Sequence, residues 1–92
     1  MQTDEDESRQ ITFANETERE VAKVFAEMLQ VKWVKPEDDV FTLGGDSFEA
    51  VRIALELEYR FNVELPTEVL ESAGRVRDLA AWIDSHRRPA AP

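Results

Sequence analysis

Ser47 follows Gly44, Gly45 and Asp46, and from Ser47 onward the residue pattern turns helical. A lone hydroxyl in that setting has four chemical readings. A hydrolase nucleophile needs a hydrogen-bonded base and an oxyanion site. The chain has one histidine, His86, far along the sequence beside Arg87 and Arg88, and Glu49 stands where a G-x-S-x-G elbow has its second glycine. His86 reads more simply as a solvated residue at a helix end, interacting with the helix dipole. A phosphate-binding loop is the second reading, since paired glycines before a helix can cradle an anion. The G-x-x-x-x-G-K-[ST] spacing is absent, no strand precedes the glycines, and Asp46 would repel a free nucleotide phosphate. In the third reading the segment is only structural: the glycines bend the chain, Asp46 caps the helix, and Ser47 is an acceptable first-turn residue. In the fourth, Ser47 carries a covalently attached phosphorylated group. The helix N-terminus would stabilise a phosphodiester there. Gly44 and Gly45 have no side chains to obstruct a modifying enzyme, and Phe48 and Val51 lie beside the serine to dock it. The residues alone leave the last two readings open.

The elements that must position Ser47 follow from periodicity. Thr17-Glu18-Arg19-Glu20 has the spacing of a capping box, with Thr17 as the cap. Val21, Val24, Phe25, Met28 and Leu29 share one stripe behind it, which predicts a helix over 17–30. Residues 31–46 form a long connection broken by Pro36 and Gly44-Gly45. Its Trp33, Val34, Val40, Phe41 and Leu43 are expected to pack on the body, and a loop this long in a small domain is often functional. A second helix is predicted from Ser47 to about residue 60, capped by Asp46. Ala50, Ile53, Ala54, Leu57 and Phe61 make its core stripe. Phe48, Val51 and Leu55 make a second stripe, wider than a lone amphipathic helix needs, which signals deep burial or a partner face. A short helix over 66–71 and a final helix over 75–86 complete the fold. The prediction is all-α: a small four-helix bundle of three main helices and one short one, with a long loop between helices 1 and 2. Residues 1–14 read as a flexible acidic tail, 15–86 as the domain, and 87–92 as a second tail.

Composition narrows the partners. The chain has 92 residues, enough for one domain with a modest core, and a net charge of −9. Such a surface repels nucleic acid and anionic lipid and favours basic docking faces. No apolar run is long enough for a membrane span or a signal core. The absence of cysteine excludes disulfides and thiolate metal sites and fits a reducing, cytoplasmic location.

With these residues assembled, the sequence resembles the acyl and peptidyl carrier proteins, and most closely the peptidyl carrier (thiolation) domains of nonribosomal peptide synthetases. Residues 43–47, LGGDS, resemble that family's attachment motif, and the likeness extends from the first helix to the last, over about 17–86. The resemblance implies that a phosphopantetheinyl transferase, using coenzyme A and magnesium, places 4′-phosphopantetheine on Ser47. The arm's thiol would then hold an aminoacyl or peptidyl thioester for antibiotic or related natural-product biosynthesis. The protein would be a carrier, not an enzyme, presenting its cargo to adenylation, condensation, thioesterase or tailoring enzymes. Gly44 and Gly45 would keep the approach clear, and Asp46 would cap the helix or help the transferase place its metal. Phe48, Val51, Arg52 and Leu55 would face partners, with no metal site of the protein's own and a monomeric state. The short flanks favour a discrete carrier acting in trans. Thr42 and Gly74-Arg75 depart from the family pattern in the loop and at the start of the final helix, which loses its usual cap. An acyl carrier of polyketide or fatty-acid synthesis is the nearest alternative, and an unmodified helical interaction module is the alternative from another class.

Overall fold

A computed structural model of the chain describes residues 11–87. Among the described residues the architecture is four helices in chain order: α1 (Glu16–Leu29), α2 (Ser47–Phe61), α3 (Thr67–Ser72) and α4 (Val76–His86). The predicted all-α bundle, with a long loop between α1 and α2, is what forms. The one extended pairing among the described residues is an isolated bridge between Asp39 and Arg75. No described helix is long and apolar enough to cross a membrane.

The core assembles from the predicted stripes. Val21, Val24 and Phe25 of α1 meet Ile53 and Leu57 of α2 and Val76, Leu79 and Ile83 of α4, all fully buried. Each large aliphatic or aromatic side chain so buried contributes about 1.5–3 kcal/mol. Leu65 and Leu70 close one end, while Val34 and Val40 pin the long loop to the bundle. Phe41 departs from expectation: it is exposed, and Val40 beside it makes the loop's contact with the core instead.

The start of α1 corrects the predicted capping box. Asn15, not Thr17, is the N-cap, and its Oδ1 accepts from the Glu18 amide at 2.9 Å. Glu18 Oε1 accepts from the Ala14 amide at 2.9 Å, one residue before the cap, so the reciprocal bond of a capping box is displaced by one residue. Thr17 is buried inside the first turn because its hydroxyl serves α4, donating to Asp84 Oδ1 at 2.8 Å. Glu20, freed from capping, reaches to 3.8 Å from Arg60. Arg60, near the end of α2, also pairs with Glu27 and, most closely, Glu56 at 2.7 Å. The hydrogen bond that Arg60 Nε donates to Glu56 Oε2 foremost holds the guanidinium pKa above its ordinary value.

Of the tails expected at 1–14 and 87–92, residues 1–10 and 88–92 lie outside the described residues. Residues 11–14 have no regular structure, yet Phe13 packs half-buried against the core, before the expected domain boundary. Arg87 sits with its guanidinium 5.6 Å above the Phe61 ring.

The start of α4 has no side-chain cap, as the sequence departure implied. Its first amides are satisfied from the long loop instead: the Val76 amide donates to the Asp38 carbonyl and the Arg77 amide to the Pro36 carbonyl, both at 2.9 Å. A glycine at 74 is required by this close turn, since a Cβ there would collide with the Leu70 carbonyl oxygen.

Candidate functional site

The loop leading into α2 is tied by its own groups. The Thr42 amide donates to Asp39 Oδ1 at 2.8 Å, and the Asp39 amide donates to Thr42 Oγ1 at 3.1 Å. The Leu43, Gly44 and Gly45 amides then donate back to the carbonyls of Asp39, Phe41 and Val40. The two glycines do different work. Gly44 has φ +95°, a backbone region costly for residues with a Cβ, and open space surrounds it. Gly45 is pressed against the body: a Cβ there would lie 2.6 Å from Val40 Cγ1 and 2.9 Å from Leu29 Cδ2.

That turn delivers the chain to α2. Asp46 is the N-cap, its Oδ1 accepting from the Glu49 amide at 2.9 Å, and its carbonyl accepts from the Ala50 amide at 2.9 Å. Ser47 is the first helical residue, and it is exposed. The Ser47 and Phe48 amides belong to the first turn, where α-helical geometry supplies no intrahelical acceptor. The hydroxyl therefore stands in the positive field of the helix terminus, equivalent to about half an elementary charge, beside donors available to an anion.

From Ser47 an apolar strip runs down the outer face of α2. Phe48 is 71% exposed, Val51 42% and Leu55 59%, so the second stripe is a surface and not core. Arg52 is exposed among them. The strip continues to Tyr59, at 85% exposure, which the sequence reading missed. The signal was present in the spacing of four residues from Leu55 to Tyr59, which keeps to one helical face. From Phe48 to Tyr59 the strip is about 16 Å long at 1.5 Å per residue.

His86 is not part of this site. It lines a cleft with Asn62, the C-cap of α2, whereas Ser47 opens that 15-residue helix. The two ends are about 22 Å apart along the axis. The His86 ring stacks on Trp82 at 3.9 Å between centroids, and its Nδ1 lies 2.8 Å from the Trp82 carbonyl. A carbonyl only accepts, so Nδ1 carries the proton. His86 is thus not placed to act as a base for Ser47. Among the described residues no group of three His, Cys, Asp or Glu side chains could hold a metal ion.

Residues 19–83 match the model of a family described as the phosphopantetheine attachment site. The chain belongs to that family. It is 35% identical over 74 residues to the indigoidine synthase of Dickeya dadantii, a match covering 80% of this chain and 5% of that protein. It is 34% identical over 76 residues to the isonitrile lipopeptide synthase of Mycobacterium tuberculosis, covering 83% of this chain and 3% of that protein. The chain thus spans only a small part of the length of these curated relatives. Among solved structures it superposes, at TM-score 0.77 and 25% identity, on a peptidyl carrier protein in complex with the phosphopantetheine transferase Sfp and coenzyme A. That match covers 82% of this chain and 97% of the other.

The geometry fits the prosthetic group this family carries. An exposed serine is available for a phosphodiester, it opens a helix whose first amides have no intrahelical acceptor, and the space over Gly44 is open.

Proposed function

We propose that this protein is a peptidyl carrier that bears 4′-phosphopantetheine on the Ser47 oxygen. The observation that carries the assignment is the exposure of Ser47 at the first position of α2, behind a turn with no side chain over Gly44. When attached, the arm supplies a terminal thiol that holds an aminoacyl or peptidyl group as a thioester. The residues of this chain tether and present it. Asp46 fixes the helix start and hence the direction of the Ser47 side chain. The Ser47 and Phe48 amides offset the phosphodiester charge. Gly44 leaves the approach clear for a transferase, and Gly45 lets the turn seat closely on Val40 and Leu29.

Phe48, Val51, Leu55 and Tyr59 form the face that adenylation, condensation or tailoring enzymes contact, with Arg52 selecting partners that offer an acidic group. The protein itself performs no bond-making step. Incubation with coenzyme A, magnesium and a broad-specificity phosphopantetheinyl transferase, followed by intact mass, tests the assignment. A gain of one arm that disappears in Ser47→Ala is expected. A chain that gains no arm, or a Ser47→Ala chain that still gains one, refutes it.

A further inference from the structure

The segment that delivers Ser47 is a single turn. One exposed turn is unfavourable standing alone, because few hydrogen bonds offset the ordering of its backbone. This one is held at both ends. At its far end the Gly45 amide donates to the Val40 carbonyl at 2.8 Å, with Val40 seated in the core. At its near end Asp39 and Thr42 bond each other in both directions. Asp39 Oδ1 accepts from the Thr42 amide at 2.8 Å, and Thr42 Oγ1 accepts from the Asp39 amide at 3.1 Å. The same hydroxyl donates to the Asp39 carbonyl at 3.1 Å, which also accepts from the Leu43 amide at 3.1 Å. The pair has the reciprocity of a capping box, with a hydroxyl in place of the Glu or Gln that reaches back. A hydroxyl suits this place because it accepts and donates at once, whereas an ionised carboxylate only accepts.

Asp39 is also where the turn meets α4. It forms the isolated bridge with Arg75, and the carbonyl of neighbouring Asp38 accepts from the Val76 amide at 2.9 Å. The pair therefore links an anchored base to the serine five residues beyond Thr42. Thr42 is exposed, and neither residue belongs to the buried core, so the bundle does not depend on the pair to fold.

We propose that Asp39 and Thr42 are positioning residues for arm attachment. Their reciprocal bonds keep the turn closed, and the closed turn sets the place from which Gly44 and Gly45 deliver Ser47 to the transferase. This rests on the carrier reading above. Neither side chain touches the reacting atoms; both act through the backbone that leads to Ser47.

The test compares the parent with Thr42→Val, Thr42→Ser, Asp39→Ala and Asp39→Asn. Arm transfer from coenzyme A by a phosphopantetheinyl transferase is followed by intact mass at carrier concentrations spanning KM. Deuterium uptake at the Leu43 and Gly44 amides is measured in parallel. Thr42→Val keeps the shape and removes the hydroxyl, and Asp39→Ala removes the side-chain acceptor. Each should raise KM for the carrier about three- to tenfold at unchanged kcat, since only the closed fraction is competent to bind. Uptake at the two amides should quicken by a similar factor. Thr42→Ser and Asp39→Asn retain the bonding oxygens and should behave as the parent does. If Thr42→Val and Asp39→Ala only lower the melting temperature, with KM at the parent's value, the inference is overturned. A raised KM with unchanged uptake also overturns it, because the side chains would then be direct contacts of the transferase. A parent chain that gains no arm refutes the carrier reading, and this inference with it; a parent that loads beside variants of unchanged KM refutes this inference alone.

Discussion

The hydroxyl of Thr17 donates to Asp84 Oδ1 at 2.8 Å, joining the first turn of α1 to the last turn of α4 across 67 residues of sequence. Thr17 is buried, and Asp84 is exposed. Thr17→Val keeps the shape and removes the donor, while water still reaches the carboxylate. The expected loss is about 0.5–1.5 kcal/mol, read from urea unfolding at constant slope.

The two glycines before Ser47 should fail differently. Gly45→Ala drives a methyl into Val40 and Leu29, and overpacking of this kind costs about 1–3 kcal/mol. Gly44→Ala meets no atom, and its cost is the positive φ alone, about 1–2 kcal/mol. Substituting Gly44 with the bulkier Val should in addition slow arm transfer, because the side chain rises where the transferase must approach. Parallel measurement of melting temperature and loading rate separates strain from obstruction.

Asp46 can be split between its two possible duties. Asn caps nearly as well as Asp, so Asp46→Asn should hold stability within a few tenths of a kcal/mol, while Asp46→Ala loses about 1 kcal/mol. If Asp46→Asn is stable but loads slowly, the carboxylate also assists the transferase. If both stability and loading are retained, capping is its whole role.

Leu55 and Leu57 stand two residues apart on α2 and face opposite ways, one 59% exposed and the other fully buried. Leu57→Ala should cost about 2–5 kcal/mol through the cavity it leaves. Leu55→Ala should stay within about 0.5 kcal/mol of the parent, yet weaken transfer of cargo from an adenylation partner. Tyr59→Ala should do the same if the strip is read to its far end. The comparison requires only thermal melts and a loading assay.

Much of this arrangement is legible in the residue order, because local rules govern it. Asp46 before an uninterrupted apolar period places the start of α2, and the double stripe separates Ile53 and Leu57 from Val51 and Leu55. What escapes is decided at long range. Asn15 and Thr17 both satisfy local capping rules, and the choice between them is settled by Asp84 at the other end of the chain. Phe41 and Val40 are both apolar, and only the seating of the turn on Leu29 decides which goes inside. Tyr59 is overlooked because an amphipathic ring fits either environment. The missing cap of α4 is visible as an absence in sequence, but its replacement by carbonyls of residues 36 and 38 is not, since main-chain groups carry no residue signature.

That replacement makes the final helix a reporter on the segment that presents Ser47. The Val76 and Arg77 amides are closed by Asp38 and Pro36, so any excursion of the segment leaves both open to solvent. Their deuterium uptake should therefore follow the breathing of the preceding loop and not the global opening of the bundle. Should a docking enzyme clamp that loop, the slowed uptake would register at a place the enzyme need never touch.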